Sequence, residues 1–174
     1  PRPPAVTLPA LGPWRVQQAM EPADAHPATG WRVLPAGESL EMDRLGIHKG
    51  FACYRAVYRG VMPRIGLAVR HNAAVYLNGR FVAKLDTYQS ESADDGPEAE
   101  TVAPVAVDLP ASWQTAGENA IVVIVESLGH NKGFLGNERL PRGILAVDAD
   151  RALAWSVRAG VVGEMDAPSP TFDD

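Results

Sequence analysis

Thiol chemistry is almost missing from this sequence. Cys53 is the only cysteine, so no internal disulfide can form. A single thiol also excludes a zinc site built from several cysteines. The histidines, at positions 26, 48, 71 and 130, are scattered without metal-ligand spacing. We therefore expect no cofactor, although carbonyls and carboxylates could hold a structural Ca²⁺ that sequence spacing does not reveal.

Long hydrophobic runs and clusters of basic residues are also missing. The longest apolar run, Ala120 to Val125, is far too short to span a bilayer. Lys and Arg number 16 against 21 Asp and Glu, for a net charge of −5, and the basic residues do not cluster. A nucleic-acid partner needs a basic patch, and a membrane surface needs a basic amphipathic stretch. We expect neither partner.

Glycine and proline, in contrast, are abundant, at 16 and 15 residues. This composition favours short strands joined by turns over a helical bundle. Residues 1–13 carry five prolines and are predicted to be an extended lead-in. Residues 164–174 are polar and predict a linker or tail, which leaves residues 14–163 as one domain. Because the chain begins at Pro1, we expect a fragment or a processed product.

Several segments carry the pattern of β-strands. Apolar residues alternate with small or polar ones in 65–69, 105–109 and 153–157, which predicts strands with one buried face. Residues 121–125 are apolar on both faces and predict a central strand covered on both sides. Residues 51–58 are rich in aromatics and predict a further strand.

Turn signals separate these strands. Asn78-Gly79 predicts a type I′ hairpin, because both residues tolerate positive φ angles. A second hairpin is predicted at 148–150, and one short helical turn, closed by Gly117, within 110–119. Seven to nine strands with almost no helix indicate an all-β fold, an antiparallel β-sandwich or jelly roll.

The order of these landmarks resembles the galactose-binding-like jelly-roll domains of glycoside hydrolases. The most specific stretches resemble those of β-galactosidases of glycoside hydrolase family thirty-five, over residues 14–164. The acidic loop 90–100 departs from the family pattern. The resemblance is carried by YRAVYRG at 54–60, AAVYLNGRFVAKLD at 73–86, GENAIVVIVES at 117–127, ESLGHNKGF at 126–134, PRGIL at 141–145 and AWSVRAG at 154–160.

The family's catalytic residues lie in a separate (β/α)₈ barrel of about 250 residues, which is longer than this chain. The resemblance therefore implies a non-catalytic accessory domain whose partner is the catalytic domain of the parent enzyme. An independent module that binds galactosides or oligosaccharides is the alternative. A small enzyme built on a jelly roll is a third, weaker hypothesis.

Candidate binding residues follow the predicted central strand. Glu126, His130 and Asn131 lie where that strand enters a loop, and all three can hydrogen-bond sugar hydroxyls. The alternative is that His130 and Asn131 bond backbone groups and hold their own loop in place. We expect the structural role to prevail.

Two further candidates lie elsewhere. Trp113, in a turn-rich segment, is the best candidate to stack on a sugar, whereas Trp155 alternates with apolar residues and is predicted to be core. Arg142 would clamp a carboxylate or, as we expect, pair with Glu138. The acidic loop predicts a solvated surface rather than the fixed carboxylate pair of a glycosidase; its carboxylates are Glu91, Asp94, Asp95, Glu98 and Glu100.

Overall fold

Nine β-strands dominate the computed structural model, which describes residues 31–86, 102–129 and 140–160. Within these residues 56% are in strands and 3% in helix, which confirms the all-β prediction. The predicted lead-in 1–13 and tail 164–174 lie outside the described residues. The strands are β1 (Arg32–Val33), β2 (Gly50–Arg59), β3 (Arg64–Arg70), β4 (Asn72–Leu77), β5 (Arg80–Asp86), β6 (Val105–Asp108), β7 (Glu118–Ser127), β8 (Gly143–Asp148) and β9 (Ala154–Ala159).

The strands form two antiparallel sheets. The larger has six strands in the order β1-β9-β2-β7-β4-β5, and the smaller has three in the order β6-β3-β8. Side chains from the facing sides of both sheets share one core, so the fold is an antiparallel β-sandwich. The finer jelly-roll assignment stays a prediction.

The core explains why β7 is apolar throughout. Ile121, Val123 and Val125 are fully buried between the sheets. Val122 and Ile124 point to the opposite side and form a second, smaller cluster with Cys53. The prediction that this strand is central and covered on both sides is therefore confirmed.

The Asn-Gly hairpin is confirmed as well. Asn78 and Gly79, between β4 and β5, have φ angles of 48° and 75°. The Asn78 side chain also fixes the hairpin to its surroundings, because its Nδ2 donates to the Trp113 carbonyl at 2.8 Å and its Oδ1 accepts from the Ala120 amide at 2.8 Å. The predicted helical turn is a single 3-10 turn, Ala111–Trp113, which ends at Gln114 rather than at Gly117.

The second predicted hairpin is wrong. β8 pairs with β3 in the smaller sheet, whereas β9 pairs with β1 and β2 in the larger one. Residues 148–150 therefore cross from one layer to the other. Arg151 fixes this crossover by donating to the carbonyls of Arg59 and Val61 at 2.7 and 3.0 Å. The turn signal was local, and it carried no information about which sheet each strand would join.

The prediction that β3 has only one buried face is also wrong. Every residue from Ile65 to Arg70 is buried, including Gly66 and Ala68, which point away from the core. Gly66 is packed so closely that a Cβ there would lie 3.0 Å from the Cβ of Asp148. The small side chains here therefore mark buried positions and not solvent-exposed ones.

Candidate functional site

The candidate residues are divided between the two ends of β7. Asn119, near the start of the strand, accepts at its Oδ1 from Asn78 Nδ2 at 2.9 Å, and the same nitrogen binds the Trp113 carbonyl. Glu126 lies seven residues further along β7. At about 3.3 Å per residue, this separation is about 23 Å. The structure therefore does not bring Trp113 and Glu126 into one site.

Trp113 is only partly exposed and packs against the main core. The guanidinium of Arg80 lies over its ring, with the central carbon 4.3 Å from the ring centroid. A cation in this position occupies the face on which a sugar would stack. Trp155 is 7% exposed and belongs to the core, as predicted.

Arg142 lies at the other end of β7 and is 1% exposed. Its Nε donates to the Gly129 carbonyl at 3.3 Å and its Nη1 donates to the Leu140 carbonyl at 3.1 Å. These bonds hold the two ends of the segment between residues 129 and 140 close together. Glu138, the expected ion-pair partner, lies outside the described residues. The hydrogen bonds described for Arg142 therefore stabilise the backbone at Gly129 and Leu140.

Two residues that sequence reasoning missed lie beside it. Arg70 is 1% exposed and donates from Nη1 to the Pro141 carbonyl at 3.4 Å. His71 is 2% exposed, and its Nδ1 accepts from the Leu128 amide at 3.3 Å. The available signal was Arg70 itself, a charged residue that directly follows the apolar run 65–69. Charged residues are seldom fully buried without a structural or functional reason.

Glu126 borders this cluster of buried basic side chains. It is partly exposed, and its Oε2 accepts from Asn72 Nδ2 at 3.4 Å. His130 and Asn131 lie outside the described residues, so their sugar-binding and loop-fixing roles both stay predictions. The acidic residues of loop 90–100 lie outside them as well.

The tightest packing of this end surrounds Gly143. Its φ angle is +108°, and a Cβ there would lie 2.7 Å from both the Leu40 carbonyl oxygen and Tyr54 Oη. Those two oxygens are themselves hydrogen-bonded at 2.7 Å, with Tyr54 as the donor. Tyr54 is fully buried, and burial raises the pKa of its phenol well above the ordinary value.

Open grooves occur elsewhere on the described surface. One, of about 480 Å³, lies between the 34–40 segment and β8, and another, of about 490 Å³, lies over Gly66 on the smaller sheet. Asp150, on the rim of the second groove, hydrogen-bonds Arg151 at 2.7 Å, and this bond lowers the pKa of the carboxyl. That pair belongs to the crossover that joins the sheets.

Neither a metal-binding cluster nor a membrane-spanning helix occurs in the described ranges. Residues 31–86, 102–129 and 140–160 contain no group of three or more His, Cys, Asp or Glu side chains placed to hold a metal ion. In the same ranges no helix is long and apolar enough to cross a membrane. The expectations about Ca²⁺ and cofactors stay predictions.

Comparison with known proteins does not assign a family. No protein-family model matches the chain, and no curated protein matches it either. The family resemblance therefore rests on the quoted motifs, and any function must be argued from geometry.

Proposed function

We propose that this chain is a non-catalytic β-sandwich domain that supports the catalytic domain of a β-galactosidase-like glycoside hydrolase. One observation carries the proposal: residues of the motifs that carry the resemblance are used to join the two sheets. Tyr54 of YRAVYRG and the Arg142-Gly143 pair of PRGIL are all buried in one joint. Their described contacts are with backbone and core, which favours an architectural role.

The joint lies where the smaller sheet ends against the 40–42 segment. The Met42 amide donates to the Arg142 carbonyl at 2.7 Å, and Glu41 forms an isolated antiparallel bridge with Gly143. Tyr54, from the middle of the larger sheet, reaches this segment through its bond to Leu40. Three parts of the chain are therefore locked together, as a rigid accessory domain requires.

One observation favours the alternative, an independent carbohydrate-binding module. Phe81 is 54% exposed and lies beside Tyr76, with ring centroids 5.7 Å apart. Exposed aromatic rings are common platforms for apolar faces of ligands. A galactoside bound by this pair would make the chain a binding module rather than a support.

The first test uses the purified chain. We expect no turnover of a chromogenic β-galactoside and no calorimetric heat with galactose or galacto-oligosaccharides. Turnover that disappears when the chain's own acidic residues are replaced would show an enzyme and overturn the proposal. Saturable binding that Phe81→Ser abolishes, with an unchanged melting temperature, would favour the binding module.

The second test uses the whole protein that the complete reading frame encodes. We expect that frame to include a barrel with paired carboxylates. In the whole protein, Gly143→Ala should lower the temperature at which galactosidase activity is lost, whereas Gly60→Ala should change it much less. Gly60 is the matched control because it also has a positive φ, +77°, but no atoms within 4 Å of an added Cβ. Equal effects, or a frame without a hydrolase domain, would contradict the proposal.

A further inference from the structure

The outer face, defined here as the side of the larger sheet that points away from the smaller one, carries a continuous row of side chains. Strand pairing aligns one residue from each of the six strands. With about 4.8 Å between neighbouring strands, five spacings give a row about 24 Å wide. The row consists of Val33, Ser156, Arg55, Val122, Tyr76 and Phe81. Val122 is 3% exposed, so the other five residues form the accessible surface of the row.

Two arginines lie near the middle of this face. Arg55 pairs with Ser156, and Arg158 lies two residues further along β9, on the same side of the sheet. Such diagonal neighbours are about 7–8 Å apart, within reach of a single carboxylate between them. Within the described residues, neither arginine has an acidic side chain as partner. Both side chains are partly exposed, so a carboxylate from another molecule can reach them.

The charges that the structure describes around Arg55 and Arg158 do not pair with them. The whole chain has a net charge of −5, so unpaired positive charge is unexpected. Two acids of the outer face, Glu126 and Asp86, lie near the ends of their strands and have partners there. Glu126 bonds Asn72, and Asp86 lies 3.5 Å from Lys84. The two arginines near the middle of the outer face are therefore complementary to an anionic group from another molecule.

Aromatic side chains flank the arginines. Trp31 lies under Arg158, whose guanidinium carbon is 5.6 Å from the ring centroid, and Tyr76 and Phe81 lie at the opposite end of the face. Phe81 and Val33, at the two ends of the row, are 54% and 73% exposed. Arginine, tryptophan and tyrosine are the residues most enriched among the energetic anchors of protein interfaces.

We infer that the outer face docks an acidic polypeptide surface, with one carboxylate between Arg55 and Arg158 and apolar side chains against Tyr76 and Phe81. A sugar fits less well, because Tyr76 and Phe81 meet edge to face at 72° and Arg158 covers Trp31. A row about 24 Å wide is also suited to a standard interface, which buries about 800 Å² on each partner. Docking at the outer face does not depend on the proposed parent enzyme.

The test uses three polymers and calorimetric titration of the whole chain. A random copolymer of glutamate and tyrosine offers carboxylates with aromatic groups, poly-L-glutamate offers carboxylates alone, and polygalacturonate offers carboxylates on a sugar. We expect the copolymer to bind most tightly. Arg55→Gln/Arg158→Gln should weaken it by about tenfold or more, the effect of losing an interface anchor.

The matched control is Arg44→Gln/Arg64→Gln, which removes the same charge from two exposed arginines off this face. It should leave copolymer affinity unchanged, and Phe81→Ser should weaken the copolymer but not poly-L-glutamate. Thermal melts establish that each variant is folded, and Phe81→Ser alone carries the test if the double variant is not. Equal losses in both arginine variants, tightest binding of polygalacturonate, or no binding of any polymer would overturn the inference.

Discussion

Replacing Gly143 with alanine is the most sensitive test of the joint. The substitution adds one carbon atom where the backbone has a φ angle of +108°. That atom would lie 2.7 Å from the Leu40 carbonyl oxygen and 2.7 Å from Tyr54 Oη. Neither oxygen can move away freely, because the two are hydrogen-bonded to each other.

Two effects determine the magnitude. An alanine at such a φ angle costs about 1–3 kcal/mol of conformational strain. Forcing a methyl group into a close-packed site costs about 1–3 kcal/mol more. We expect Gly143→Ala to lower the free energy of unfolding by about 4 kcal/mol, a large part of the total of about 5–15 kcal/mol for a typical domain.

Equilibrium unfolding in urea, followed by tryptophan fluorescence, measures this change. Gly60→Ala is the control: its φ is +77° with no neighbouring atoms within 4 Å, so only strain of about 1–2 kcal/mol is expected. In a Tyr54→Phe background the cost of Gly143→Ala should fall by about 1 kcal/mol, because one obstructing oxygen is gone. If the two glycine variants lose the same stability, the described packing around Gly143 is incorrect.

Three further predictions concern pH, a buried arginine and the loop. Burial raises the pKa of Tyr54, so its contribution to stability should be constant below the ordinary tyrosine pKa of about 10 and should be lost as pH rises above it. Tyr54→Phe should weaken this alkaline loss in urea titrations, and an unchanged pH profile would refute the prediction. Arg142→Met should cost about 2–4 kcal/mol by removing bonds to two carbonyls, against less than about 0.5 kcal/mol for exposed Arg44→Met, and similar losses would contradict the described contacts. Asn131→Ala should lower stability by about 1–3 kcal/mol, with any galactoside binding falling only in step with folding; a stable variant that no longer binds would reverse this interpretation.

The candidate site was only partly predictable from sequence. Glu126, from the end of β7, and Arg142, from the PRGIL motif, lie at the same end of the sandwich, and loops that follow buried strands are placed by the core. The binding roles of these residues stay predictions. Trp113 was grouped with them by residue type, although it lies at the other end of the strand. The buried pair Arg70 and His71 was missed, because burial of a charge depends on neighbours far away in the chain.

The sequence alone determined which segments become strands and where one hairpin turns. Period-two alternation, an apolar run at 121–125 and the Asn78-Gly79 pair are local properties, and the backbone and solvent act on them locally. Only the tertiary structure decided that β8 and β9 enter different sheets and that Gly143 faces Tyr54. It also placed Arg55 diagonally across from Arg158, on two strands that are about a hundred residues apart in the chain. Such pairings depend on how the two sheets share apolar surface, which no local pattern records.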